Sequence, residues 1–489
     1  MSDGSPTIRD GSNNNGLHKL EEVAPIETTH EITLNRKKLK YITHTGMMPL
    51  KDEKDTIEAE MFYTAYFLNG QTDPAKRPLT FVFNGGPGSS SVWLHLGALG
   101  PKRVLMHDEG WMPAPPFKLV PNESTWLDQT DLVFIDPIGT GFSRAANPDD
   151  NQKYWSIDGD IASIGTFIRL FLNRYSRWAS PLFMAGESYG TTRAAGIAGD
   201  LVEKGIVFNG LMLISTVLNF QTLRRDDGNN LPDALFLPTF TATAWYHGKL
   251  PKDLQAKTLR EVLDEVEAWA EGDYASVLMR GDKISDKERA TVTRKLSRYT
   301  GLDASFIERG GLGVEIFTFC KQLLRDQKRT IGRLDSRFVG IDKNHHSGSF
   351  EHDPSHTAIN APYTAMINDY LRRDLGYQSD RVYEIISGEV FPKWQYARGK
   401  YPDTSEALRK SLSKNPYMQV LLAMGYYDLA TPHFATLYTI NHMGLDPSLR
   451  DNLHIETYEA GHMFYLEIGA LAKLKADFVR FLNVAFPAS

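Results

Sequence analysis

A series of short apolar runs, most of them ending in a turn of small residues, constrains this chain more than any other feature. LTFVF (Leu79–Phe83) runs into NGGPG, LVFID (Leu132–Asp136) into PIGTG and LFMA (Leu182–Ala185) into GESYG. LMLIS (Leu211–Ser215), VLLAMG (Val420–Gly425) and LHIETYEAG (Leu453–Gly461) follow. Runs this short suit strands buried on both faces rather than core helices. Helix-periodic stretches lie between them, such as DGDIASIGTFIRLFLNRY (Asp158–Tyr175). Buried strands alternating with helices imply a mostly parallel central sheet flanked by helices, an α/β fold. Upstream, residues 31–68 alternate apolar and polar in ITLNRKKLKYITHTG and AEMFYTAYFLNG, the signature of paired antiparallel strands.

The rhythm stops after about Asn219. Residues 250–375 are mostly helix-periodic: in LREVLDEVEAWA the apolar positions Leu259, Val262, Leu263, Val266 and Trp269 follow three- and four-residue spacing. The strand pattern returns at Met418. The expected organisation is therefore a disordered tail over 1–28, a first part of the α/β core over 29–219, a mainly helical cap insertion over 220–378, and the rest of the core over 379–489.

The net charge of −6 gives nucleic acid or an anionic membrane surface little to bind, and no apolar run is long enough to span a bilayer. The single cysteine, Cys320, cannot form an intramolecular disulfide, and its apolar neighbours predict a buried side chain rather than a reactive thiol. The opening MSDGSPTIRDGSNNNG has no apolar signal core. These two observations lead to an expected cytoplasmic location, or a periplasmic or secreted one had a leader been removed.

In an open parallel sheet, ligands bind at the carboxyl ends of the strands. Those ends carry Asn84-Gly85-Gly86-Pro87-Gly88, Gly186-Glu187-Ser188-Tyr189-Gly190, Tyr426-Tyr427-Asp428 and Gly461-His462-Met463. The chain order Ser, Asp, His is that of the α/β-hydrolases. A serine hydroxyl needs a base to become a nucleophile, and His462 is the candidate base for Ser188. Asp428 would hold the imidazole in the right tautomer. The N–H groups of Gly86 and Tyr189 are candidates to bind the oxyanion. Taken singly, Asp428 reads more readily as a turn residue and His462 as a hydrogen-bonded histidine; it is the conjunction that points to catalysis.

These motifs resemble the serine carboxypeptidases (peptidase family S10) and carboxypeptidase-like α/β-hydrolases. FNGGPGSSS (Phe83–Ser91), TDLVFIDPIGTGFS (Thr130–Ser143), GESYG, GYYDLATP (Gly425–Pro432) and YEAGHM (Tyr458–Met463) are similar to that family's signatures, in order, across Thr33–Asn219 and Pro416–Ala485. The resemblance implies a serine hydrolase that removes the C-terminal residue of a peptide, without cofactor or metal. It also implies that the substrate carboxylate is held by an asparagine matching Asn84 and an acid matching Glu187. A carboxyl side chain can bind a carboxylate only when protonated, which favours acidic pH. The family's second acid, in the segment ending Gly-Pro, is replaced here by Ala98 in HLGALGP (His95–Pro101), and Ser89 stands where the family often has a cysteine. The missing acid predicts a less acidic optimum. It also keeps open an esterase or acyltransferase on the same triad; a catalytically inactive binding protein on a hydrolase core is the rival of another class. The histidine-rich DKNHHSGSFEHDPSH (Asp342–His356) has no metal-specific spacing and is expected to be a loop at the cap edge.

Overall fold

The computed structural model describes residues 20–34, 36–396 and 400–487. Most of the expected tail, residues 1–19, lies outside the described residues, while residues 26–28 already belong to the first strand. The chain divides into two compact units. The first comprises Met1–Val104, Phe117–Gly210 and Tyr363–Arg398, the second Leu105–Pro116, Leu211–Pro362 and Gly399–Ser489.

In the first unit, β1 (Ile26–Leu34), β2 (Lys37–Lys51) and β3 (Ile57–Leu68) form an antiparallel meander, as their alternation predicts. β4 (Leu79–Phe83), β5 (Asp131–Ile135) and β6 (Leu182–Glu187) are buried along their whole length. β4 pairs parallel with both β5 and β6, and β5 joins the meander antiparallel to β3. Burial on both faces explains why these three runs are continuously apolar. The helix Ile157–Arg174 is capped by Ser156, whose side chain accepts from the Gly159 N–H, and it turns Ile164, Phe167, Ile168 and Phe171 inward. Only Ser188 separates the end of β6 from the helix Tyr189–Glu203, whose first half is wholly buried.

The second unit is also α/β. Here β7 (Gly210–Ile214) neighbours β8 (Gln419–Gly425), which pairs parallel with β9 (Leu453–Tyr458) from Val420↔Leu453 to Gly425↔Tyr458. Helices fill the sequence between β7 and β8. Leu231–Tyr246 is apolar all round and correspondingly buried. Leu259–Trp269 opens on a capping box, Thr258 with Glu261, and buries the five apolar positions that its spacing singles out. One apolar cluster runs from these helices through Phe319 and Cys320 to Tyr427 and Leu429 at the end of β8. A short ribbon, Thr330–Ile331 against Val339–Gly340, closes a loop over residues 332–338.

Candidate active site

β6 ends at Glu187, and Ser188 turns the chain with φ 59° and ψ −131° before the helix begins at Tyr189. A non-glycine residue in this region carries about 1–3 kcal/mol of strain, retained only where the surroundings enforce it. They do so by close backbone approach. A Cβ on Gly186 would stand 2.2 Å from the Gly190 carbonyl oxygen, and one on Gly85 would stand 2.5 Å from the Tyr189 nitrogen. The glycine-rich turn after β4 thus lies directly against the elbow, bringing the backbone of Asn84 and Gly85 beside the N-terminus of the elbow helix.

A buried polar network pins the two together from below. Arg193 Nε donates to Asp160 Oδ2 at 2.8 Å, the Tyr189 hydroxyl donates to the same oxygen at 3.1 Å, and Arg193 Nη1 donates to the Asn84 carbonyl. The guanidinium lies over the rings of Phe83 and Tyr189, 5.3 and 5.1 Å from their centroids. Burial holds the Asp160 carboxyl above the usual carboxylate range, opposed by Arg193. Burial likewise pushes the Tyr189 phenol well up. Asn84 is 1% exposed; its Oδ1 accepts from the Leu94 N–H at 3.1 Å, and its Nδ2 is buried with no hydrogen-bond partner among the described residues. Glu187 is buried beside Ser188. Ala98 is buried in the helical turn His95–Leu99, its carbonyl accepting from Asn122 Nδ2 at 2.7 Å.

The second unit holds Asp428 and His462 together. Asp428 is fully buried. Its Oδ1 accepts the N–H groups of Ala430 (2.7 Å) and Thr431 (2.9 Å), and its Oδ2 accepts the Thr431 hydroxyl (2.6 Å). His462 Nδ1 lies 2.7 Å from Asp428 Oδ2. An ionised carboxylate can only accept, so Nδ1 carries the proton and the ring lone pair is on Nε2. The histidine backbone is fixed on both sides: its N–H donates to Leu334 O at 2.6 Å, and its carbonyl accepts from Ser215 Oγ at 2.6 Å. The loop inside the short ribbon contacts the loops of both Asp428 and His462. Asp335 Oδ2 accepts the Gly461 N–H at 3.1 Å, Leu429 N–H donates to Arg333 O at 3.0 Å, and Ser336 N–H donates to Tyr427 O at 3.0 Å. Arg337 grips Asp335 (2.8 Å) and donates to the Glu459 carbonyl (3.1 Å).

Of the residues singled out from sequence, Asn84, Gly86, Glu187, Ser188 and Tyr189 gather around the elbow of the first unit, and Asp428 and His462 pair in the second. Thr431, Ser215, Arg193 and the 333–337 loop carry supporting roles that the sequence reading missed. A cation at position 193, in an otherwise small and uncharged helix start, was the one available signal. Cys320 is buried, and burial pushes its thiol well up. In the histidine-rich segment, Asp342 pairs with Lys321 and Asp353 Oδ1 accepts the Ser355 N–H at 2.9 Å at the start of the helix Pro354–Arg373. Among the described residues, no group of three or more His, Cys, Asp or Glu is placed to hold a metal ion, and no helix is long and apolar enough to cross a membrane.

The sequence profile of the serine carboxypeptidases matches residues 35–459, a span that includes Ser188 and Asp428 and ends three residues before His462. The chain belongs to the serine carboxypeptidase family. As a family member it is similar to the pheromone-processing carboxypeptidase Kex1 of Saccharomyces cerevisiae, 34% identical over 160 residues, which is 30% of this chain and 20% of Kex1. It is also similar to the probable serine carboxypeptidase CPVL of Dictyostelium discoideum, 30% identical over 152 residues, covering 30% of this chain and 27% of that protein. The matched stretches thus span about a fifth to a quarter of these relatives' length. The crystal structure of Kex1 superposes with a TM-score of 0.56 over 90% of this chain and 91% of that one, at 18% identity, which shows the α/β-hydrolase fold.

The cytoplasmic expectation does not stand. The family's relatives, Kex1, CPVL and the plant serine carboxypeptidase-like proteins among them, are secreted or lysosomal and vacuolar proteins. A lone cysteine excludes an intramolecular disulfide, which every compartment tolerates, so the cysteine count held no information about location.

Proposed function

We propose that this chain is a serine-type carboxypeptidase that releases the C-terminal residue of peptides through an acyl-enzyme, with Ser188 as nucleophile, His462 as base and acid, and Asp428 orienting the imidazole. The observation that carries this reading is the elbow: a strained serine, φ 59°, kept at a strand end by two glycine contacts that admit no side chain. Such strain persists where exposing one side-chain atom matters.

In this reading Ser188 Oγ bonds to the scissile carbonyl carbon as its proton passes to His462 Nε2. Asp428, held in place by three hydrogen bonds, stabilises the imidazolium. The carbonyl oxygen becomes an oxyanion bound by the N–H groups of Gly86 and Tyr189; a donor of this kind is typically worth about 10²–10³ in rate. The imidazolium then gives its proton to the departing amine, the C–N bond breaks, and the C-terminal amino acid leaves. Water attacks the ester with the same imidazole as base, freeing the shortened peptide and Ser188. Asn84, through its unpaired Nδ2, and Glu187 hold the substrate's terminal carboxylate.

A fluorophosphonate should label wild type and leave Ser188→Ala unlabelled. A blocked dipeptide should be cleaved far faster than its C-terminal amide, with an optimum above about pH 4.5, since only one recognition acid must be protonated. Ala98 favours one second reading, an esterase or acyltransferase. Cleavage of an ester or the amide, with the free acid left intact, would replace the first reading with the second.

A further inference from the structure

We propose that Tyr363 and Arg103 complete, with Asn84, the seat of the substrate's terminal carboxylate, in place of the acid that Ala98 lacks. The proposal rests on the carboxypeptidase reading and names the groups that give it specificity.

The C-terminal half of the helix Pro354–Arg373, with the residue that follows it, packs along the segment that carries Ala98. The rings of Trp93 and Tyr363 lie 5.0 Å apart, Tyr66 bridges His95 (2.5 Å) and Tyr370 (3.1 Å) through its hydroxyl, and Lys102 pairs with Asp374 at 3.0 Å. Trp93 immediately precedes Leu94, whose N–H holds the Asn84 side chain. Tyr363 therefore packs on the neighbour of the residue that holds the Asn84 side chain, on a helix whose end contacts residues on either side of Ala98.

Three donors on or next to this segment have no hydrogen-bond acceptor among the described residues. Tyr363 is 1% exposed, and its hydroxyl has no hydrogen bond among the described residues. Asn84 Nδ2 and Arg103 Nε are both buried and without a hydrogen-bond partner among the described residues. Arg103 has one ion-pair contact among the described residues, Glu123 at 3.7 Å, and Glu123 is 73% exposed to water. Electrostatics tie the group to the elbow. Burial first, then the charge of Glu187, holds the Tyr363 phenol up, while Arg103 acts in the opposite direction. Tyr363 thus lies within the fields of both Glu187 and Arg103.

A carboxylate offers only acceptors, about four lone-pair sites. A phenol, an amide N–H and a guanidinium are donors that need no proton from solution below about pH 9. Where two acids form the seat, carboxylate binding fails once they ionise. With a phenol and a guanidinium the seat keeps these donors at neutral pH even once Glu187 has ionised and ceased to donate, and the guanidinium then offsets its charge.

The test measures binding by calorimetry in Ser188→Ala, using a benzoyl-blocked dipeptide and its C-terminal amide at pH 5 and 7.5. The parent should prefer the free acid at both pH values. Tyr363→Phe and, separately, Arg103→Gln should weaken the free acid about tenfold or more while leaving the amide unchanged. Arg103→Gln keeps the proposal falsifiable if Tyr363→Phe does not fold. A free-acid preference that survives in the folded variants, or an equal loss for acid and amide, overturns the proposal and leaves the carboxypeptidase reading standing. No preference in the parent itself overturns both.

Discussion

Thr431 shows how much a single hydroxyl can carry. It donates to Asp428 Oδ2 at 2.6 Å, the oxygen that faces His462 Nδ1, and lies 3.2 Å from that nitrogen. The carboxylate cannot rotate without breaking this bond and those to the Ala430 and Thr431 N–H groups. A hydrogen bond to a buried charge is worth about 1.5–3 kcal/mol. Thr431→Val should therefore lower kcat about tenfold or more with KM unchanged, and Thr431→Ser should restore it. Steady-state kinetics on a blocked dipeptide decides: a loss carried in KM, or a serine variant no better than valine, would show that the hydroxyl does not hold the acid. Asp428 and His462 were legible because each closes a strand-like run in a fixed chain order. Thr431 was not, because a threonine before Pro432 reads equally well as turn chemistry.

Elements divide along the same line. The strands LTFVF, LVFID and LFMA and the helix Leu259–Trp269 were legible because burial imposes a period that survives in sequence. The 333–337 loop has no period. Its role lies in hydrogen bonds to Tyr427, Leu429, Gly461 and His462, some 90 to 130 residues further on, and nothing local records them. Asp335 is the centre of this loop, since its carboxylate accepts from Gly461 N–H and from Arg337 at once. Asp335→Ala removes both acceptors and leaves Arg337, which is half-freed from its partners, with Glu467 at 3.2 Å. The histidine loop should loosen: hydrogen exchange over residues 459–463 should accelerate, and kcat should fall about tenfold or more as the imidazole loses its position. Unchanged exchange together with unchanged kcat would reduce the loop to a passive connection.

At the scale of the molecule, two buried groups of the first unit set opposing pH dependences. Burial lowers the His95 imidazole to about 3, from an ordinary value near 6.5. The folded state refuses a proton that the unfolded chain accepts, so this contribution is present above about pH 6.5 and is lost as pH falls toward 3. Burial raises the Asp136 carboxyl to about 6, opposed by its hydrogen bonds from the Ser91 N–H and hydroxyl, both 2.8 Å. The folded state holds a proton that the unfolded chain releases, so this contribution is present below the ordinary value near 3.8 and is lost as pH rises through about 6. Each pH unit inside either window is worth at most about 1.4 kcal/mol, so between about pH 4 and 6 the two slopes nearly cancel. Removing one group should expose the other. Asp136→Asn, which keeps an acceptor for Ser91, should become less stable relative to wild type as pH falls from 6 to 4. His95→Gln, which can still hydrogen-bond to Tyr66, should become relatively more stable over the same range. Urea midpoints at pH 4, 5 and 6 for the three proteins read this directly. Parallel curves for wild type and both variants would mean that neither group keeps its buried protonation state in the folded protein.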